Sequence, residues 1–223
     1  MPLSTTQQKT MASAIQDYDF PMVAYDFVSD NVLNDFVNYQ ELERFIQSQL
    51  TSDVLSEVRD GLSNVLYWGY ATSKGRQSHR VELFRSSVTE TQLRSFMAHL
   101  SSREVNLQAV KQCKLPQLSN ISFVSKVLMF LDPERFVTLD LQLRKLKQAE
   151  TENLFRGLKD QRTSLRITKV NENFYRQWCE TCRYMAESYF VDIGARAVDV
   201  ERGIFSLVRR GEIDFVAGCL ASA

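Results

Sequence analysis

Only eight glycines and four prolines punctuate the 223 residues of this chain. A sandwich or barrel turns roughly every 8–12 residues and places Gly, Pro and Asn at those turns, so the shortage favours long elements joined by short connections. The apolar periodicity agrees. Leu42, Phe45, Ile46 and Leu50 recur at helical spacing, and Thr51-Ser52-Asp53 then offers a cap to a second helix carrying Val54, Leu55, Val58, Leu62, Val65 and Leu66. Thr89-x-x-Gln92 is a capping-box pattern ahead of Leu93, Phe96, Met97 and Leu100, and Ser101-Ser102 can cap a run through Val105, Leu107 and Val110. Residues 171–189 and 198–209 read as two further amphipathic helices. The expected class is all-α.

A hydrophobic share of 44% against 24% charged is enough to build a core. The longest uninterrupted apolar run is residues 127–131, far short of the about 20 residues of a membrane span, and the polar N-terminus carries no secretory pattern. A cytoplasmic protein without a membrane partner is expected. Four cysteines, of which only Cys179 and Cys182 lie close together, do not make a secreted disulfide framework. Cys179-Glu-Thr-Cys182 is half of a zinc site, but zinc takes four ligands and the only histidines are His79 and His99. Core cysteines and no metal are therefore expected. No phosphate-binding glycine loop, serine-hydrolase elbow or His-Glu-x-x-His helix occurs, and no cofactor is expected.

Net charge is zero but unevenly placed. From Thr10 to Glu43 there are seven acids and no Lys or Arg, whereas from Arg44 onward 26 Lys and Arg against 20 Asp and Glu leave the body at +6. Such a body attracts phosphates, and a solvated surface with chance asymmetry reads equally well. Residues 1–14, polar and aperiodic, are expected to fray. Residues 1–36 read as an acidic, partly disordered arm, anchored by Phe20, Tyr25, Phe27 and Phe36 and shielding the basic surface. Residues 37–223 read as one helical domain, with lobes at about 70–150 and at 37–69 plus 151–223. Between Trp68 and Arg80 two glycines accompany Lys74, Arg76, His79 and Arg80, which reads as a loop, either touching phosphate or solvated. Leu115-Pro116 closes one helix, and an apolar second helix from Phe123 to Leu131 stops at Asp132-Pro133. Asp140 can then cap a third.

Three blocks carry a resemblance: Leu115-Pro116 through Asp140, Tyr175-x-x-Trp178-Cys179, and Arg196-Ala-Val-Asp-Val-Glu-Arg202. The most specific is Ser122-Phe-Val-Ser125-Lys126-Val-Leu-Met-Phe130, followed by Asp132-Pro133 and Val137-Thr-Leu-Asp140. Over roughly residues 60–210 the chain resembles bacterial 8-oxoguanine DNA glycosylase-like proteins of the helix-hairpin-helix superfamily. The resemblance implies a two-lobed helical fold in which hairpin amides hold a DNA phosphate, a damaged base is extruded, and an aspartate capping a later helix supports catalysis. It puts Asp140 in the aspartate role, Lys126 in that of the amine that attacks C1′ in bifunctional members, and Ser119, Asn120 and Ser122 on the DNA with the basic 74–80 segment.

The chain also departs from the pattern. Lys126 lies 14 residues before Asp140, closer than in the family, where Ile121 or Ser122 would take its place. Leu-Pro-Gln-Leu-Ser-Asn lacks both glycines of the usual hairpin. Structural readings stand beside the functional ones. Lys126 can be a snorkelling surface residue and Asp140 an ordinary N-cap. Arg196, Asp199, Glu201 and Arg202 can form an ion-pair network or cap behind the site, and Trp178 with Phe174, Tyr175, Met185 and Tyr189 can be core. The expected function is base-excision glycosylase on an oxidised purine in double-stranded DNA, with AP-lyase activity in the bifunctional form. The alternative is a non-catalytic DNA- or protein-binding adaptor on the same scaffold.

Overall fold

Helices make up most of the chain, in an all-α fold whose one named sheet among the described residues is a two-stranded hairpin. The structure is a computed structural model describing residues 2–73, 75–102, 105–161 and 163–223. The chain divides into two compact units, residues 20–131 in one and residues 1–19 with 132–223 in the other. Residues 37–69 thus share a unit with 70–131, a different grouping from the lobes drawn on the sequence.

In the 20–131 unit, strands β1 (Ala24–Asp26) and β2 (Asn31–Leu33) pair antiparallel, with Tyr25 opposite Val32. The Asp26 carboxylate closes their turn by accepting from the amides of Val28 (2.9 Å) and Ser29 (3.2 Å). Helices α2 (Tyr39–Leu50), α3 (Leu55–Gly69), α4 (Gln77–Ser87), α5 (Glu90–Ser101), α6 (Leu107–Gln112) and α7 (Ile121–Leu131) follow. Asn38 caps α2, and the Thr89/Gln92 capping box on α5 forms as its spacing implies. The other two caps read from sequence do not form. Val54 opens α3 without a side-chain cap, and Asn106 caps α6 while Ser102 ends α5.

α3 is the hub of this unit, buried from Gly61 to Trp68 without a break. A Cβ on Gly61 would come within 2.8 Å of the Leu50 amide, so the glycine lets α2 and α3 approach closely. Asn64, fully buried, donates to the Tyr25 carbonyl (3.1 Å) and accepts from the Tyr25 amide (2.7 Å), giving β1 the pairing that a neighbouring strand would otherwise supply. Phe20 meets Trp68 at 5.0 Å, and Phe36 meets Phe45 at 5.8 Å. These arm residues complete the packing of the unit. Between Trp68 and Arg80 the expected loop shortens to a turn, because α3 runs on to Gly69 and α4 starts at Gln77, placing His79 and Arg80 on a helix.

Among the described residues the other unit comprises α1 (Thr5–Gln16), α8 (Lys169–Tyr189), α9 (Ala197–Arg210), α10 (Ile213–Ser222) and three 3-10 turns, the longest being Leu141–Gln148. The expected fraying of residues 1–14 is corrected by α1. Ser4 and Gln7 make a reciprocal capping box, and Leu3, Met11 and Ala14 are buried. Its partner is α9, where a Cβ on Gly203 would stand 2.7 Å from Ile15 Cγ1.

At the start of α9 the Asp199 carboxylate accepts from the Arg196 amide (3.1 Å), Arg196 Nε (2.9 Å) and Nη2 (3.0 Å), and Arg202 Nη1 (3.1 Å). Network and cap are one structure here. Burial alone would raise the Asp199 pKa, but the hydrogen bonds from Arg196 and the charges of Arg202 and Arg196 hold it below its ordinary value. A carboxylate lowered on folding stabilises fully above its unfolded pKa of about 3.9, and that contribution is lost as pH falls through the lower folded value. Urea unfolding of Asp199→Asn is therefore expected to show a smaller loss of stability below about pH 4 than the parent. Parallel acid limbs for the two proteins would refute it.

Candidate nucleic-acid interface

α6 and α7 are joined by an eight-residue reversal, Cys113 to Asn120. Lys114 leaves α6 in the left-handed region (φ 52°), its amide donating to the Lys111 carbonyl at 3.0 Å. Leu115 to Leu118 then forms a four-residue turn closed by the Leu118 amide on the Leu115 carbonyl (3.3 Å), with Pro116 second and Gln117 third at φ 61°. A positive φ at that third position is where glycine is usually demanded. Gln117 adopts it without glycine, at a cost of about 1 kcal/mol, while its side-chain oxygen accepts from Arg80 Nη1 at 2.8 Å. Leu115 and Leu118 are buried beneath the turn. Asn120 ends it by accepting from the Phe123 amide (3.2 Å), which caps α7.

The sequence-selected DNA contacts fall into three groups. Ser119 is exposed on the hairpin, with Asn120 and Ser122 half-buried after it at the start of α7, where helix amides lack intrahelical acceptors. Arg80 is brought to the same hairpin by Gln117 and lies 5.9 Å from the Tyr70 ring centroid. Arg76 and His79 are exposed at the start of α4. Lys74 lies outside the described residues.

Lys126 is not a snorkelling surface residue. It is 5% exposed, its Nζ donates to the Ser122 carbonyl at 3.0 Å and sits 5.3 Å from the Phe123 ring centroid, and its stem packs by Gly69 of α3. Ile121, at the head of α7, is fully buried.

Asp140 belongs to the unit containing α8 and α9. It is half-buried and caps the Leu141–Gln148 turn by accepting from the Gln142 amide at 2.9 Å. The preceding Val137, Thr138 and Leu139 are buried, and α8 grips their backbone: Tyr175 Oη donates to the Val137 carbonyl (2.8 Å) and Trp178 Nε1 to the Thr138 carbonyl (2.9 Å). The sequence offers Tyr175 and Trp178 as core, or as a ring to stack on an extruded base. They are core, and they also tether the segment that presents Asp140. The available signal was that a buried Tyr or Trp needs an acceptor for its polar tip.

Burial pushes the Cys179 thiol up to about 11 and raises that of Cys182, so both stay protonated core side chains. Among the described residues no three His, Cys, Asp or Glu side chains group to hold a metal, and no helix is long and apolar enough to cross a membrane. Compared with protein-family models, curated proteins and solved structures, the chain matches none.

Proposed function

We propose that the protein is a DNA base-excision glycosylase that releases an oxidised purine from double-stranded DNA by hydrolysis. The observation that supports it is the order of elements: a tight reversal closed by a Pro-Gln turn, an asparagine-capped apolar helix, and an aspartate that caps the next turn. Hairpin amides and the Arg80 side are suited to a backbone phosphate, which positions DNA without reading sequence. Asp140 then supports base loss. The C1′–N bond breaks, its electron pair leaves with the base, which takes up a proton, and the carboxylate stabilises the cationic sugar until a water oxygen bonds C1′ and yields its proton to solvent.

Lys126 enters this reading as a structural residue. A Schiff-base step would need its amine to leave the Ser122 carbonyl, and neither Ile121 nor Ser122, in the place where the resemblance sets the lysine, carries an amine. The expected result is release of 8-oxoguanine from a duplex under single turnover, with no borohydride-trapped adduct. A trapped adduct that disappears in Lys126→Met would restore the lyase form. Failure to release any oxidised purine, with duplex binding intact, would leave the adaptor reading, which the missing hairpin glycines favour.

A further inference from the structure

Within the 20–131 unit, the β-hairpin, α3 and α4 line an open pocket of about 500 Å³ that the proposed glycosylase chemistry does not use. Its lining follows from element periodicity. Arg59 and Tyr67 lie two turns apart on one face of α3; Ser78, Val81, Glu82 and Arg85 share one face of α4; Tyr25 comes from β1 and Phe27 from the turn just after it. Three rings form an aromatic wall, with Tyr25 5.0 Å from Phe27 and 5.4 Å from Tyr67. The wall is held in place before any ligand arrives, because Asn64 fixes the Tyr25 backbone, Tyr25 Oη donates to Asp30 (2.7 Å) and Asp26 closes the turn.

Two guanidinium groups reach the cavity, and they differ. Arg85 is engaged: its Nη1 donates to Asp60 (2.5 Å) and Ser63 (3.3 Å), and its plane lies 3.9 Å from the Phe27 ring centroid. Arg59 has a buried Nε–H with no acceptor. That guanidinium lines the cavity and makes no ion pair among the described residues, so an anion in the cavity would neutralise it. At the rim Glu82 is exposed and can accept from a ring N–H.

We propose that this cavity binds a planar nitrogen heterocycle carrying an anionic group, its ring against Tyr25, Phe27 and Tyr67 and its anion on Arg59. A preformed pocket of this size with aromatic walls and a few placed polar groups suits a small ligand rather than a polymer. Phosphate of a mononucleotide and carboxylate of a free heteroaromatic acid share this chemistry. Isothermal titration of the full chain with guanosine 5′-monophosphate and with indole-3-carboxylate separates the two sources.

Saturable binding of at least one probe is expected, about tenfold weaker for Arg59→Met and for Phe27→Ala, and about tenfold weaker again for the neutral guanosine or indole. Arg59→Met keeps the aliphatic stem; were it not to fold, Phe27→Ala and the neutral probes still decide. The proposal is overturned if neither probe binds at about 5 mM, if both variants bind as the parent does, or if neutral probes bind equally well. Duplex base release is measured beside it and is expected to be unchanged in Phe27→Ala, so failure here is distinct from failure of the glycosylase reading.

Discussion

Asp140→Asn is expected to reduce release of an oxidised purine on the order of 10³-fold while leaving the melting temperature unchanged. The two readouts separate because the proposed reaction gives Asp140 a second job beside its cap. As a cap it accepts from the Gln142 amide, and asparagine caps about as well as aspartate. In the proposed reaction its carboxylate would supply a full negative charge beside a sugar that becomes cationic, and the amide would not. Asp140→Ala should lose release equally and also about 1 kcal/mol of stability, because the cap goes too. Trp178→Phe should act in the same direction more weakly: the ring remains in the core, but the Thr138 carbonyl loses its donor and the segment leading to Asp140 loosens. Single-turnover assays and thermal melts on the three variants check this. If Asp140→Asn releases base at the parent rate, the carboxylate is a cap and nothing more.

Deletion of residues 1–36 is expected to unfold the protein, and not to unmask a basic surface. The acidic arm looked like a shield because its charge opposes that of the body. Its side chains are instead built into both units. Leu3, Met11 and Ala14 are buried with α9 in one, while Ala24 is fully buried in the other, where Asn64 is satisfied by the Tyr25 backbone. Each large apolar side chain buried contributes about 1.5–3 kcal/mol, and Asn64, keeping only its bond to Gln49, would lose its acceptance from the Tyr25 amide at a cost of about 1–3 kcal/mol. Their loss together approaches the roughly 5–15 kcal/mol that holds a whole domain folded. Circular dichroism and urea titration of the truncated chain test this. A cooperative transition at the parent midpoint, with tighter and more salt-dependent DNA binding, would return the arm to its shielding role.

Interactions that close within a turn or two were legible in the sequence. The Thr89/Gln92 capping box, the stop at Asp132-Pro133, the α6 to α7 reversal and the Asp140 cap all depend on neighbours within a few residues. The Ser4/Gln7 capping box was equally local, yet α1 was missed because its narrow apolar stripe acquires meaning only beside Gly203, nearly two hundred positions away. The hairpin at Tyr25 needed Asn64, and the burial of Lys126 needed the Gly69 end of α3. Gln117 shows the same limit from the other side. Glycine was missing from the motif, yet the turn forms because the buried Leu115 and Leu118 impose it and Arg80 holds the side chain that results. Local hydrogen bonds and propensities set which segments become helices. Which faces are buried, which side chains reach a distant carbonyl, and where a cavity is left between a hairpin and two helices were decided by tertiary packing, because the atoms that satisfy or exclude one another there are adjacent only after the chain has folded.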